Sequence, residues 1–158
     1  MPTELLTKIK NDSLHLRDQT VWRSNLTWDQ GIVKSSSLVL IRHLGEEDTE
    51  DLKKELFKHA VYSEDQDLTF RAMTYLWSPL SFIPWHLDKN WIGAATIYLN
   101  DTWDHDWGGY LMWEDKAGIH ATPPVFNRMV VNDANVKHST TLTTKDANLR
   151  ETIQIFWF

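Results

Sequence analysis

Two rhythms of apolar residues divide the chain near residue 67. On the N-terminal side the clearest signal has the period of a helix. After the acidic start Gly45-Glu46-Glu47-Asp48, residues Leu52, Leu56 and Phe57 fall on one face, which predicts a helix over Asp48 to Ala60. Asp48 is its candidate cap, because a short carboxylate there accepts free backbone N–H groups. Residues 1–20 are polar with scattered Leu and Ile and read as a loose lead-in or a short helix, whereas Val21 to Leu26 and Ser37 to Leu44 read as strands. Beyond Asp67 the rhythm shortens. Leu68 to Trp77, Ile92 to Leu99, Tyr110 to Trp113, Arg128 to Asn132, Lys137 to Leu142 and Thr152 to Phe158 are short runs of strand formers, separated by Ser78-Pro79, Asn100-Asp101, Gly108-Gly109, Pro123-Pro124 and Asp146-Ala147-Asn148. Many short strands after one helical segment predict a mainly β fold, a sandwich or barrel with helical support outside.

Composition narrows the chemistry. The 158 residues fit one domain with a sizeable core. Cysteine is absent, which excludes disulfides, thiol nucleophiles and thiolate zinc sites. A formal charge of -6 gives no electrostatic attraction to phosphate backbones, so nucleic acid is a disfavoured partner. Nine Trp, six Phe and four Tyr suit a β-rich core and a lined pocket. The N-terminus has no basic-then-apolar run and no stretch is apolar enough to span a membrane, so the expectation is a soluble, cytoplasmic protein without membrane partners.

Among the seven histidines, His15, His43 and His59 read as structural or solvated, and His105 and His120 lie in loop-like segments without an obvious partner. Asp104-His105-Asp106 reads as a solvated loop. His86 differs. It stands in Pro84-Trp85-His86-Leu87-Asp88, and on an extended chain residues i and i+2 point to the same side. The imidazole and the carboxylate therefore converge on one point. Alone this spacing is weak, since a buried histidine hydrogen-bonded to a nearby carboxylate produces it more often. A second imidazole from a distant strand would complete a 2-His-1-carboxylate triad, which holds Fe(II) on one face and leaves three positions for small molecules. His138, in Asn135-Val136-Lys137-His138-Ser139, is the natural third ligand.

The wider order of motifs is more specific. From about Leu68 to Phe158 the chain carries Tyr75, His86-x-Asp88, Tyr98-Leu99-Asn100 with Trp103, Gly108-Gly109-Tyr110-Leu111, Pro124, Asn127-Arg128-Met129-Val130-Val131, His138 and Arg150-Glu151-Thr152, closing on Ile153-Gln154-Ile155-Phe156-Trp157-Phe158. In this order it resembles the prolyl 4-hydroxylase-like branch of the Fe(II)/2-oxoglutarate-dependent oxygenases. The resemblance implies a double-stranded β-helix, or jelly roll, with one or two supporting N-terminal helices, so that 1–158 would be one oxygenase domain with its core at about 68–158. It differs from the common pattern in three places: a longer segment between His138 and Arg150, Ser139-Thr140-Thr141 where a proline often follows the distal histidine, and Asn132 where an aromatic is common.

What the resemblance implies can be stated residue by residue. His86, Asp88 and His138 would be the iron ligands. 2-Oxoglutarate would chelate the iron, and Arg150 would bind its far carboxylate, as a planar guanidinium does. Thr152, two residues on, could donate a second hydrogen bond. Tyr98 and Tyr75 match positions that approach the co-substrate, although each reads equally as a core residue. Trp85, Trp91 and Trp103 read as packing before substrate cleft, and Gly108-Gly109 as a tight turn near the site or an ordinary hairpin. Dioxygen would be consumed and ascorbate needed for sustained activity. The implied reaction is hydroxylation of an unactivated C–H bond; Asp88 fills the position that related halogenases leave vacant for chloride. A prolyl residue in a peptide or protein is the favoured substrate. Arg150 in place of Lys leans towards the hypoxia-sensor-like and bacterial group. A free amino acid or other small molecule is the main rival, and a non-catalytic cupin-like binding module is the alternative of another class.

Overall fold

The computed structural model describes residues 1–15, 23–25, 39–59 and 67–158. Two helices, α1 (Thr3–His15) and α2 (Glu46–Lys58), flank strands β1 (Arg23–Asn25) and β2 (Val39–His43). Eight strands follow: β3 (Phe70–Trp77), β4 (Ile83–His86), β5 (Gly93–Tyr98), β6 (Leu111–Asp115), β7 (Gly118–Thr122), β8 (Met129–Asp133), β9 (His138–Thr140) and β10 (Arg150–Trp157). They form two antiparallel sheets, a larger one ordered β1-β2-β3-β10-β5-β8 and a smaller one ordered β4-β9-β6-β7. This is the mainly β, jelly-roll arrangement with two supporting helices that the sequence predicts.

The alternation of side chains along the large sheet separates scaffold from site. On β10, Ile153, Ile155 and Trp157 point to the helices. There they bury with Ala72, Ala95 and Ile97 against Leu6 and Ile9 of α1 and Leu52 and Leu56 of α2. The alternate residues of the same strands, Met73, Tyr75, Trp77, Ala94 and Phe156, form a second cluster on the inner face with Val39. Arg150, Thr152 and Gln154 share the β10 period with Phe156 and so face inward as well.

Several local readings need correction. Of the two readings of residues 1–20, the helix holds over residues 3–15, where Leu6, Ile9 and Ser13 bury one stripe on the large sheet. Asp48 does not cap α2. Gly45 occupies the cap position without a side-chain bond, and the Asp48 carboxylate pairs instead with Lys8 of α1 at 2.7 Å. Strands β4 and β7 were not foreseen. Both are short, and Pro84 and Gly118 mask them as punctuation. His120 consequently lies on a strand and not in a loop, and Asp115 holds its Nε2 at 2.9 Å. His105 has a partner in the Tyr110 hydroxyl at 2.9 Å, and the segment around it is a 3-10 turn, His105–Trp107, capped by Asp104. Gly108-Gly109 is not a hairpin turn. It joins that 3-10 turn to β6, with both φ angles near +70°, a conformation that favours glycine. A Cβ on Gly108 would lie 2.3 Å from the Leu142 carbonyl oxygen. Ala60, the expected helix end, and the flanks of the Val21 to Leu26 and Ser37 to Leu44 runs lie outside the described residues.

Gly93 shows how tightly the core is closed. A Cβ there would sit 2.4 Å from the buried Trp157 ring, and overpacking of this kind costs about 1–3 kcal/mol. Gly93→Ala is expected to lower the melting temperature by about 2–12 °C in a chain of this length, as calorimetry would show.

Candidate metal centre

The small sheet brings two remote histidines side by side. His86 ends β4 and His138 begins β9, and they are direct cross-strand partners. Directly opposed residues of an antiparallel pair share a face; here the ring centroids are 4.2 Å apart. Asp88, two residues beyond His86, turns its carboxylate between them. Its Oδ1 lies 3.6 Å from His86 Nε2 and its Oδ2 lies 3.5 Å from His138 Nε2. All three side chains are well buried, at 7%, 15% and 8% exposure.

Hydrogen bonds behind the rings set their orientation. His86 Nδ1–H donates to the Pro84 carbonyl at 2.8 Å, and His138 Nδ1–H donates to the Val136 carbonyl at 2.9 Å. In the neutral imidazole this places the Nε2 lone pair on the side of Asp88, the arrangement in which backbone carbonyls orient metal-ligating histidines. The Nε2–carboxylate separations exceed ordinary hydrogen-bond lengths. Two ligands about 2.1 Å from one ion and at right angles lie about 3 Å apart, so a small inward shift would seat a divalent cation. One candidate ligand atom from each residue can be chosen with all three within 4.8 Å of one another. Burial lowers the His86 pKa from its ordinary value, an effect that the bond to Pro84 and the nearby Asp88 oppose only in part. The neutral, ligating form is thereby favoured.

That depression carries a sign for stability. The unfolded chain protonates this histidine at its ordinary pKa of about 6.5, while the folded chain resists. Unfolding therefore takes up a proton below that pH, and stability falls as the pH drops through it. The metal-free protein is expected to lose more melting temperature between pH 7.5 and 5.5 than its His86→Gln variant, a difference that paired thermal scans would reveal.

Between the two sheets the triad opens on a cleft. The large sheet contributes Trp77, Thr96, Tyr98, Arg150, Gln154 and Phe156 to its walls, and the small sheet contributes Ile83, Leu111 and Thr140 besides the histidines. Arg150 is 3% exposed. One Nη donates to the Gly109 carbonyl at 3.3 Å, its guanidinium lies 5.0 Å from the centre of the Trp77 ring, and its Nε has no hydrogen-bond partner. Among the described residues no carboxylate pairs with it. A buried cation without an anion is costly. The Tyr98 hydroxyl in the same cleft is also buried without a partner; burial raises its pKa against the lowering influence of Arg150 and Arg128.

Tyr75 and Thr152 are placed differently. Neither lines the cleft. Tyr75 stacks on Trp77 at 5.6 Å, its hydroxyl is 3.9 Å from the Met73 sulfur, and burial with the nearby Asp88 pushes its pKa up to about 12. The Thr152 hydroxyl accepts from the Trp77 indole at 3.4 Å. Trp103 donates to the Gly108 carbonyl at 2.9 Å, Trp91 packs on Phe156 at 4.8 Å, and Trp85 lies under the Lys137 ammonium at 5.7 Å. Sequence reasoning missed Gln154 and Thr96, which bond to each other at 2.9 Å on the cleft wall. The period-two spacing from Arg150 was the available signal for Gln154.

Among the described residues no helix is long and apolar enough to cross a membrane. No protein-family model matches the sequence, and no curated protein does. Solved structures do. A prolyl-4-hydroxylase from Pseudomonas putida matches 99% of this chain and 87% of its own at 18% identity, with a TM-score of 0.76. A prolyl hydroxylase from Trichoplax adhaerens, solved with a hypoxia inducible factor peptide fragment, matches 99% of this chain and 79% of its own at 17% identity and the same TM-score. An oxidoreductase of the 2OG-Fe(II) oxygenase family from Burkholderia pseudomallei matches 98% and 79% at 14% identity, with a TM-score of 0.71. Over almost its whole length, then, the chain shares the jelly-roll fold of prolyl 4-hydroxylases and of the 2OG-Fe(II) oxygenase family.

Proposed function

We propose that this protein is an Fe(II)- and 2-oxoglutarate-dependent dioxygenase that hydroxylates an unactivated C–H bond, with a prolyl residue in a peptide or protein as the favoured substrate. One observation carries the reading. A buried guanidinium without an anion, Arg150, lines the same cleft as a His86–Asp88–His138 cluster whose ligand atoms converge. A metal subsite and an anion subsite in one enclosed space suit a small dicarboxylate that binds both, and a metal-binding module has no need of the second.

The residues then divide the work. His86, Asp88 and His138 hold the metal, and Asp88 offsets part of its charge. Arg150 takes the far carboxylate of 2-oxoglutarate, and the partnerless Tyr98 hydroxyl donates alongside it. Thr152 acts one step back, since it accepts from the Trp77 indole that lies over Arg150, and Tyr75 supports Trp77 from its other neighbour position. Bound iron supplies the oxygen activation. In the overall reaction 2-oxoglutarate, dioxygen and a C–H bond become succinate, carbon dioxide and a C–OH group. The protein orients the partners and excludes water. A carboxylate at position 88 leaves no room for a halide ligand, which favours hydroxylation over halogenation.

The test is direct. Anaerobic Fe(II) and 2-oxoglutarate should together produce a weak visible charge-transfer band, and admission of oxygen with ascorbate should yield succinate. Iron binding with no band and no succinate would favour a metal-dependent binding module. Turnover of a free amino acid but of no peptide would replace the substrate.

A further inference from the structure

The three converging side chains are not held equally. His86 is fixed by the Pro84 carbonyl at 2.8 Å and His138 by the Val136 carbonyl at 2.9 Å. Each also stands on a strand, paired with the other across the small sheet. Asp88 has neither support. It lies beyond the end of β4. Among the described residues no hydrogen bond reaches its carboxylate, and the two Nε2 atoms stand 3.6 and 3.5 Å from it. The backbone that carries Asp88, rather than a donor to its oxygens, therefore sets where the carboxylate points.

That backbone belongs to the loop between β4 and β5, residues 87–92. Asp88 and Trp91 are its sheltered members, while Leu87, Lys89, Asn90 and Ile92 are exposed. The two are joined directly, because the Trp91 N–H donates to the Asp88 carbonyl at 3.0 Å, the bond that closes a β-turn from Asp88 to Trp91. The indole then seats the turn on the large sheet. It packs on Phe156 with ring centroids 4.8 Å apart and on Phe158 at 5.4 Å. The Arg71 guanidinium lies 5.9 Å from the centre of the Trp91 ring and 5.8 Å from that of Phe158. Phe156 is 8% exposed and forms part of the wall of the metal cleft. The next residue, Ile92, donates its N–H to the Trp157 carbonyl at 2.9 Å, where β5 begins its pairing with β10. The loop is thus anchored to the large sheet at its Trp91 end, and the exposed residues on either side of Asp88 add no grip of their own.

On the metal-centre reading proposed above, we infer that Trp91 is a positioning residue for that centre: its indole, seated on Phe156 and Phe158, fixes the Asp88–Trp91 turn and so holds the Asp88 carboxylate beside the two imidazoles. Without the indole the turn is free to move, and the carboxylate must be ordered at the moment the ion binds. That ordering costs entropy, which reads as weaker metal affinity. The histidines keep their places, since their own carbonyls and strands hold them.

The experiment measures Ni(II) binding by titration calorimetry. Imidazole-containing sites bind this ion more firmly than Fe(II), so weakened variants remain measurable. Trp91→Ala is expected to weaken Ni(II) by about tenfold to a hundredfold, the range for outer partners of metal ligands, and Trp91→Phe should recover most of the loss. In an Asp88→Ala background Trp91→Ala should add less than about twofold, because a residue that acts through another is non-additive with it. An indole that only fills the core would lower the melting temperature and leave the metal affinity of the folded protein at the wild-type value. Phe158→Ala removes one side of the seat at a ring that is 41% exposed. It should weaken Ni(II) severalfold, and it decides the matter should Trp91→Ala fail to fold. Wild-type affinity in Trp91→Ala, or in Phe158→Ala where that variant alone folds, overturns the positioning role. So does an equal effect of Trp91→Ala with and without Asp88. Each of these leaves the metal centre standing. No Ni(II) binding by the wild type, or wild-type affinity in Asp88→Ala, overturns the metal centre instead.

Discussion

Asp88→Ala is expected to lower Fe(II) affinity by at least about a hundredfold, since even an outer partner of a metal ligand is worth 10–100-fold, and to leave no oxidation above background. The carboxylate stands 3.6 and 3.5 Å from the two Nε2 atoms, and it is the only anion among the three converging side chains. Two neutral imidazoles without it hold a hard divalent ion poorly. The same distances predict that the metal-free variant loses little stability, because no hydrogen bond of ordinary length is broken. This separates the metal reading from a histidine merely satisfied by a carboxylate, which would predict a loss of stability with no change in metal affinity. Metal titration and thermal unfolding of the same two proteins read both quantities.

Arg150→Met is expected to weaken 2-oxoglutarate by about 30-fold to 5,000-fold, the 2–5 kcal/mol range for truncating a buried charge pair, while iron binding stays within a factor of two or so. The side chain lies in the cleft but makes no contact with the triad that any described hydrogen bond or ion pair records. A second outcome distinguishes a ligand site from a structural one. Arg150 is 3% exposed, has no carboxylate partner among the described residues and leaves its Nε unbonded. Removing an uncompensated buried charge should therefore preserve or raise the melting temperature of the ligand-free protein. Arg150→Lys should bind 2-oxoglutarate with intermediate affinity, because an ammonium cannot make the bidentate pair. Loss of iron binding in Arg150→Met would remove its assigned role.

These expectations rest on residues that were legible in the chain for different reasons. His86 and Asp88 were legible from local geometry alone, since an extended i, i+2 pair shares a side. His138 needed the resemblance as well, because nothing local says which distant strand will lie beside β4. Strand order is set by the whole sandwich, and the His86–His138 pairing depends on β4, a strand that Pro84 concealed. Arg150 was legible in position but not in burial; that the β10 residues alternating with it face the helices, so that Arg150 faces inward, is visible once Ile153, Ile155 and Trp157 are seen packed on α1 and α2. The cross-strand pairing of Trp113 with His120 is hidden for the same reason as β7. Gly118 reads as a break and hides the strand that carries His120, whose stacking on Trp113 is a cross-strand relation that no local pattern reports. The Asp48 cap failed because the helix begins earlier, at Glu46 with Gly45 in the cap position, so Asp48 lies inside the first turn, where its carboxylate pairs with Lys8.

One measurement bears most directly on the convergence of His86, Asp88 and His138. Crystals grown anaerobically with Mn(II) and 2-oxoglutarate, with data collected at the manganese edge, should show a single strong anomalous peak bounded by His86 Nε2, His138 Nε2 and the Asp88 carboxylate, with the 2-oxoglutarate far carboxylate on Arg150. A peak elsewhere in the molecule, or a metal held without the imidazole of residue 138, would contradict the account.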